Sequence, residues 1–212
     1  MRGSKVVSRG LPVVAILCVV AWGTFDQERI FKAYFSACCG GVGQSAEHAF
    51  GDGRMEPLSE KHPGTLCSDS PRYTWGPNVV SKAEVSRRFR MWGKLKNRPE
   101  GNIGEIRKIV PTHQNRFGRP VRYEVTDSRG DRYSMTSEEL RWAINGGGEY
   151  RTALSSFLTI GDTGSGFRVS GKGSGHGVGM CQYCAEAMAK AGKRHEEIVR
   201  YSYPGSRLVR AY

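Results

Sequence analysis

The apolar positions divide the chain into short elements. Ile30 to Ala37 alternates aromatic and small residues as a strand does, and it ends at the turn Cys39-Gly40-Gly41. Residues 42 to 78 carry many Gly, Pro, Ser and His residues without periodicity, which predicts a long ordered loop. Ser81-Lys82-Ala83-Glu84 has the spacing of a capping box, and Val85, Phe89 and Trp92 then share one helical face. Ile103 to Val110 and Val121 to Asp127 read as strands around a polar loop, and Ser128-Arg129-Gly130-Asp131 as a hairpin turn into Tyr133 to Met135. A second capping box, Thr136 to Glu139, opens a helix that stops before Gly146-Gly147-Gly148. Strands at about 153 to 160 and 166 to 171 follow, then a glycine-rich strand, a helix from Cys181 and a short helix from His195 to Tyr201. This pattern predicts an α+β fold with a largely antiparallel sheet, a few short helices, and a Gly-rich strand running into a C-terminal helix.

The glycine-rich stretch is the most informative. Gly171, Gly173, Gly175, Gly177 and Gly179 alternate with Lys172, Ser174, His176, Val178 and Met180. In an extended backbone one face is then bare, which calls for close approach of a ligand or of another backbone. His176 stands among side chains too small to compete with it, and a neutral imidazole can donate one hydrogen bond and accept another. That suits sugar hydroxyls or an N-acetyl group, and it equally suits a histidine that locks two backbone segments together.

The run Gly175-His176-Gly177-Val178-Gly179-Met180, the step Gln182, Tyr183 and Ala185, and the close Tyr203-Pro204-Gly205 resemble the C-terminal signature of the sporulation stage II protein D / amidase-enhancer family. Cys181, Cys184 and Ser174 stand where that signature usually has Ser, Gly and often Trp. Ala33-Tyr34-Phe35-Ser36 before Cys39-Gly40-Gly41, Ser70-Pro71-Arg72-Tyr73-Thr74-Trp75, and Glu139-Leu140-Arg141 before Leu154-Ser155-Ser156 agree with it. The resemblance covers about residues 28 to 208, the C-terminal two-thirds of the family domain. It implies a bacterial protein of peptidoglycan remodelling in sporulation, division or wall turnover, whose best-characterised branch is the lytic transglycosylases. It also implies a glycan site at Gly175, His176, Gly177, Gly179, Gln182 and Tyr183. The expected partners are peptidoglycan glycan strands and a cell-wall amidase, with no nucleic acid and no stable transmembrane span.

Glycan cleavage needs a carboxylic acid to protonate the leaving oxygen. The family's glutamate lies upstream of the strand matching Ile30 to Ala37, where this chain has a leader without glutamate. Glu56 precedes Pro57 and Glu47 lies nearby, but both follow the Cys-Gly-Gly turn. The His and Cys zinc ligands of some members likewise belong to a region without a counterpart here. The catalytic residue is therefore unassigned, and residues 24–212 read as one wall-associated domain lacking the family's N-terminal catalytic third. The readings left open are an enzyme with an unmatched acid, a non-catalytic module that stimulates an amidase, and a truncated chain.

Charge and cysteines refine this picture. The net charge is +12 over 212 residues, with dispersed basic residues, which favours anionic polymers as partners. Residues 1–23 read as a secretory signal peptide, with Arg2, Lys5 and Arg9 before the apolar run Leu11 to Trp22. A mis-assigned start would make that run an internal strand. Export to the cell envelope or beyond permits disulfides, and pairing Cys39 with Cys67 would close a long loop. Cys181-Gln182-Tyr183-Cys184 has the spacing of half a zinc site or of a thiol oxidoreductase, but no second such pair is present. Buried thiols or a disulfide without a cofactor are preferred, with zinc as the alternative. Asp162-Thr163-Gly164 and Arg129-Gly130-Asp131 read as turns rather than as protease or adhesion motifs.

Overall fold

The computed structural model describes residues 20–22, 29–61, 64–148 and 151–208. In chain order, strands β1 (Val20–Trp22), β2 (Arg29–Ile30) and β3 (Phe35–Ser36) precede helix α1 (Ala46–Phe50) and a 3-10 turn at Glu56–Leu58. Strand β4 (Thr74–Ser81) feeds helix α2 (Lys82–Leu95), and strands β5 (Ile106–Gln114), β6 (Pro120–Asp127) and β7 (Arg132–Thr136) lead to helix α3 (Ser137–Ile144). Strands β8 (Leu158–Asp162), β9 (Gly166–Lys172) and β10 (Met180–Cys181) follow, then helices α4 (Gln182–Lys190) and α5 (His195–Ser202) and strand β11 (Arg207–Leu208). The fold is α+β.

Two three-stranded antiparallel sheets, ordered β4-β9-β8 and β5-β6-β7, share one core with α2 and α3. The helical face foreseen from Val85, Phe89 and Trp92 is buried there with Val125, Met135, Leu140 and Phe167. Removing a side chain such as Val85 or Phe89 from water contributes roughly 1.5–3 kcal/mol. The β4–β9 register slips between Trp75 and Asn78, where Pro77 has no N–H to give the ladder. A second core gathers Phe31, Ala49, Leu58, Val178, Val199 and Tyr203 beneath α1 and α5.

The capping boxes differ. At α3 the Thr136 hydroxyl accepts from the Glu139 N–H at 3.2 Å and the Glu139 carboxylate accepts from the Thr136 N–H at 2.8 Å. At α2 the Ser81 hydroxyl accepts from the Glu84 N–H, but the Glu84 carboxylate turns to Arg87 and Arg88 at 2.8 Å. Those two guanidiniums hold its pKa down at about 2.

Four expectations need correction. The strand over Ile30 to Ala37 is broken: β3 is two residues long and pairs parallel with β10, Phe35 opposite Met180. The loop over 42 to 78 contains α1, capped by Ser45 and closed by Gly51 at φ 76°, and it is too short to show helical periodicity. Asn145 bonds the Thr152 and Ala153 backbone, and Leu154 and Ser156 bond the Gly175 backbone, so β8 starts at Leu158. The glycine stretch is not one strand. Strand β9 stops at Lys172, and Gly173, Gly175, Gly177 and Gly179 all have positive φ, so the chain winds between isolated bridges until β10.

Of the expected leader, Val20–Trp22 is strand β1, paired with β2 and with β11. Residues 1–19, including Cys18, and residue 23 lie outside the described residues. Among the described residues no helix is long and apolar enough to cross a membrane.

Candidate functional site

The glycines at 175, 177 and 179 make room for this chain's own atoms. A Cβ on Gly177, at φ 75°, would strike the Arg119 guanidinium, and one on Gly179, at φ 68°, would strike the Tyr34 carbonyl and the Tyr203 ring. A Cβ on Gly175 would come within 2.9 Å of the Ser36 side chain. At these three positions the absent Cβ makes room for this chain's own atoms, the Ser36 and Arg119 side chains and the Tyr34 carbonyl.

Arg119 organises this region. It is 1% exposed and donates to the Val42 carbonyl at 2.6 Å, the Ser156 hydroxyl at 3.0 Å and the His176 carbonyl at 3.0 Å. Its guanidinium also lies 5.0 Å from the centre of the Phe157 ring. Burial pushes its pKa down to about 10, with the Cys39, Glu138 and Tyr123 side chains acting in the opposite direction. Gln44 donates to the same Ser156 and His176 oxygens, at 3.0 and 2.6 Å. The His176 carbonyl thus collects donors from Gln44, Arg119 and Ser156.

The His176 ring is half-buried. Its Nδ1 accepts from the Val178 N–H at 3.0 Å, and its faces meet Tyr34 and Phe50 edge-on at 5.9 and 5.2 Å. Burial lowers its pKa, so the neutral ring is the form present near pH 7. The contacts match the histidine that locks segments together. Gln182 is exposed at the start of α4, and Tyr183 packs beside the cysteines, its N–H donating to the Ala37 carbonyl at 3.1 Å.

Four cysteines converge under α4. The sulfurs of Cys39, Cys67, Cys181 and Cys184 all lie within 4.8 Å of one another. The Cys39 and Cys67 sulfurs are 3.5 Å apart, well beyond the roughly 2.05 Å of a disulfide, and both are free thiols here, so the expected bridge is not formed. Lys61 lies against this group, and its ammonium donates to the Gly179 carbonyl. Burial pushes the Lys61 pKa down to about 8, although the neighbouring sulfurs of Cys39, Cys181 and Cys184 raise it.

An open groove of about 840 Å³ runs past α1, α2 and α3. Phe50 and Trp142, each 38% exposed, lie along it with Trp92, Arg98, Arg122 and Glu138. Arg98 sits 5.3 Å over Trp92, and Arg141 sits 4.6 Å over Trp142, whose indole N–H donates to Glu138 at 2.9 Å. Arg98 also pairs with Glu139 at 2.5 Å. Both rings are therefore held in place before any ligand arrives. None of the six glycan residues expected from the sequence lines this groove, but His176 touches Phe50 at its edge.

No protein-family model matches the chain. Over 181 residues it is 29% identical to an uncharacterised protein of Brachyspira hyodysenteriae, covering 85% of this chain and 44% of that one. Over 197 residues it is 26% identical to the stage II sporulation protein D of Bacillus subtilis, covering 89% of this chain and 48% of that protein. Over 96 residues it is 37% identical to the amidase enhancer of the same organism, covering 42% of this chain and 13% of that protein. The chain is a distant homologue of these proteins. It spans less than half the length of each relative.

The homology extends well beyond the glycine motif, in keeping with the scattered agreements at Tyr34-Phe35-Ser36 and Ser155-Ser156. Those serines have structural duties: Ser156 bonds the His176 carbonyl, and Ser155 donates to the Lys172 carbonyl and accepts from Trp75. Sequence reasoning did not single out Arg119, Gln44, Lys61 or Trp142. The one local hint was Trp142 beside the capping box and the Glu139-Leu140-Arg141 motif.

Proposed function

We propose that this chain is an exported, cell-wall-associated module that binds the glycan strands of peptidoglycan in the groove of Phe50 and Trp142. The observation that carries the reading is the groove itself. It presents two exposed rings, Phe50 and Trp142, with the Trp142 indole held by Glu138 and the Arg141 guanidinium beside it, on a chain homologous to an amidase enhancer and a sporulation protein. Flat indole faces cover the apolar faces of sugar rings, and arginine forks suit the carboxylates of lactyl groups and stem peptides. The net charge of +12 favours approach to an anionic wall.

The reading moves the glycan from the glycine face to the adjoining groove, because Arg119, Tyr34 and Ser36 already fill that face. Binding rather than lysis is assigned because Glu47 and Glu56, the carboxylates singled out from the sequence, are exposed and lie outside the groove. An amidase is the partner that a binding module of this kind would position on the wall.

Sedimentation with purified sacculi tests the proposal. The chain should pellet with sacculi stripped of teichoic acid, and Trp142→Ala should weaken that binding roughly tenfold, as loss of a central aromatic contact does. Unchanged binding by Trp142→Ala, with the fold intact by circular dichroism, would place the glycan elsewhere.

A further inference from the structure

We propose that Cys39, Cys67, Cys181 and Cys184 bind a single zinc ion as a structural centre. The inference stands on the thiol geometry and does not rest on the glycan reading. Tetrahedral zinc at about 2.3 Å from each thiolate puts the sulfurs about 3.8 Å apart. Here the Cys39 sulfur is 3.5 Å from that of Cys67 and 4.0 Å from that of Cys184, and no two of the four sulfurs are more than 4.8 Å apart. The spacing is too long for a disulfide and too short for an iron–sulfur cluster, in which each thiolate binds its own iron.

The ligands come from three stretches far apart in the chain. Cys39 lies in the turn after β3, Cys67 is fully buried in a run of turns, and Cys181 and Cys184 open α4. Cys181 is the N-cap of α4 and makes no side-chain capping bond, so its sulfur is not committed to the helix. The Cys39 N–H instead points at the Cys181 sulfur at 3.3 Å, a bond that stabilises a thiolate. Cys38 is buried beside the group, but its thiol reaches toward the Cys67 carbonyl at 3.9 Å and it stands outside the four.

Charge supports a divalent ion. Four thiolates around one zinc carry a net charge of about −2, which needs compensation in a buried place. Lys61 lines the small cavity of about 20 Å³ bordered by Cys39, Cys181 and Cys184. Arg119 bonds the Cys39 carbonyl at 3.4 Å, which brings a second cation to the same turn. Soft thiolates in a tetrahedral set select zinc over hard divalent cations. With four protein ligands no position stays open to substrate, so the ion fastens rather than catalyses. It would clamp the loops at residues 39 and 67 onto the start of α4, and so hold the glycine segment against Arg119.

The test is metal content and spectroscopy of the full chain, purified under reducing conditions without chelator. Elemental analysis should find about one zinc per chain, and cobalt(II) replacing it should give the visible absorption of a tetrahedral thiolate centre. Cys184→Ser and Cys67→Ser should fall below about a tenth of that zinc content, while Cys38→Ser should keep it. Chelation should lower the Tm of the wild type and leave Cys38→Ser responding as the wild type does. If the serine variants fail to fold, the cobalt titration of the wild type still decides. Fully reduced wild type that takes up neither zinc nor cobalt would overturn the proposal. So would iron in place of zinc, a Cys39–Cys67 disulfide in the freshly purified chain, or unchanged zinc in both serine variants.

Discussion

Arg119 joins three segments through one guanidinium, and its removal takes donors from the Val42 and Cys39 carbonyls and from the Ser156 hydroxyl, while the His176 carbonyl keeps Gln44 and Ser156. Each such loss costs about 1–3 kcal/mol, so Arg119→Met should destabilise the chain by roughly 2–5 kcal/mol in urea titration. A change under about 0.5 kcal/mol would show that these bonds are dispensable. His176 gives a pH signature. Burial lowers its folded pKa, so the unfolded chain takes up the proton first, from the ordinary value of 6.5 downward. The stability contributed by the neutral ring is complete above that value and is lost as pH falls through the lowered folded pKa. His176→Asn keeps an acceptor near Nδ1 and removes the titration. Unfolding free energies at pH 7.5 and pH 5 should then diverge between wild type and variant, and parallel values would refute the assignment. His176 and Cys181-x-x-Cys184 were legible because their signal is local spacing. Arg119 and Gln44 were not, because their partners at His176 lie 57 and 132 positions away.

At the level of elements the two helix starts offer a paired comparison. The reciprocal bonds at Thr136 are complete, whereas Ser81 has half of its box. Thr136→Ala should cost about 1–2 kcal/mol and Ser81→Ala about 0.5–1 kcal/mol in chemical denaturation. The reverse order would mean that the Glu139 carboxylate adds nothing at the cap. Amphipathic spacing located α2 and α3, and alternation located β6, because each buries one regular face. Strand β5 buries only Ile106 and Ile109 and runs from Ile106 to Gln114 instead of Ile103 to Val110. The glycine stretch misled for a physical reason. Alternate glycines satisfy a period of two in an extended strand, and they also permit a chain in which every second residue has positive φ. Which one forms depends on Arg119, Tyr34 and Ser36, contributed by distant segments. Helix α1 was missed because five residues show no helical repeat.

For the whole molecule, the proposed wall binding draws on a net charge of +12 and on the aromatic groove. Attraction to the wall should weaken with salt while stacking in the groove persists. The groove could not be read from the sequence, because Phe50, Trp92, Arg122 and Trp142 come from α1, α2, β6 and α3 and meet through packing. The glycine motif pointed to the family resemblance, and its glycines are spent on holding the chain together around His176. The most direct measurement is an NMR titration of the isotope-labelled chain with soluble peptidoglycan glycan oligomers. Shifts should concentrate at the Trp142 indole, Phe50 and Arg98, with the amides of Gly175, Gly177 and Gly179 little changed. Shifts centred on the glycine segment, Gln182 and Tyr183, or no shifts at saturating glycan, would contradict binding in the groove.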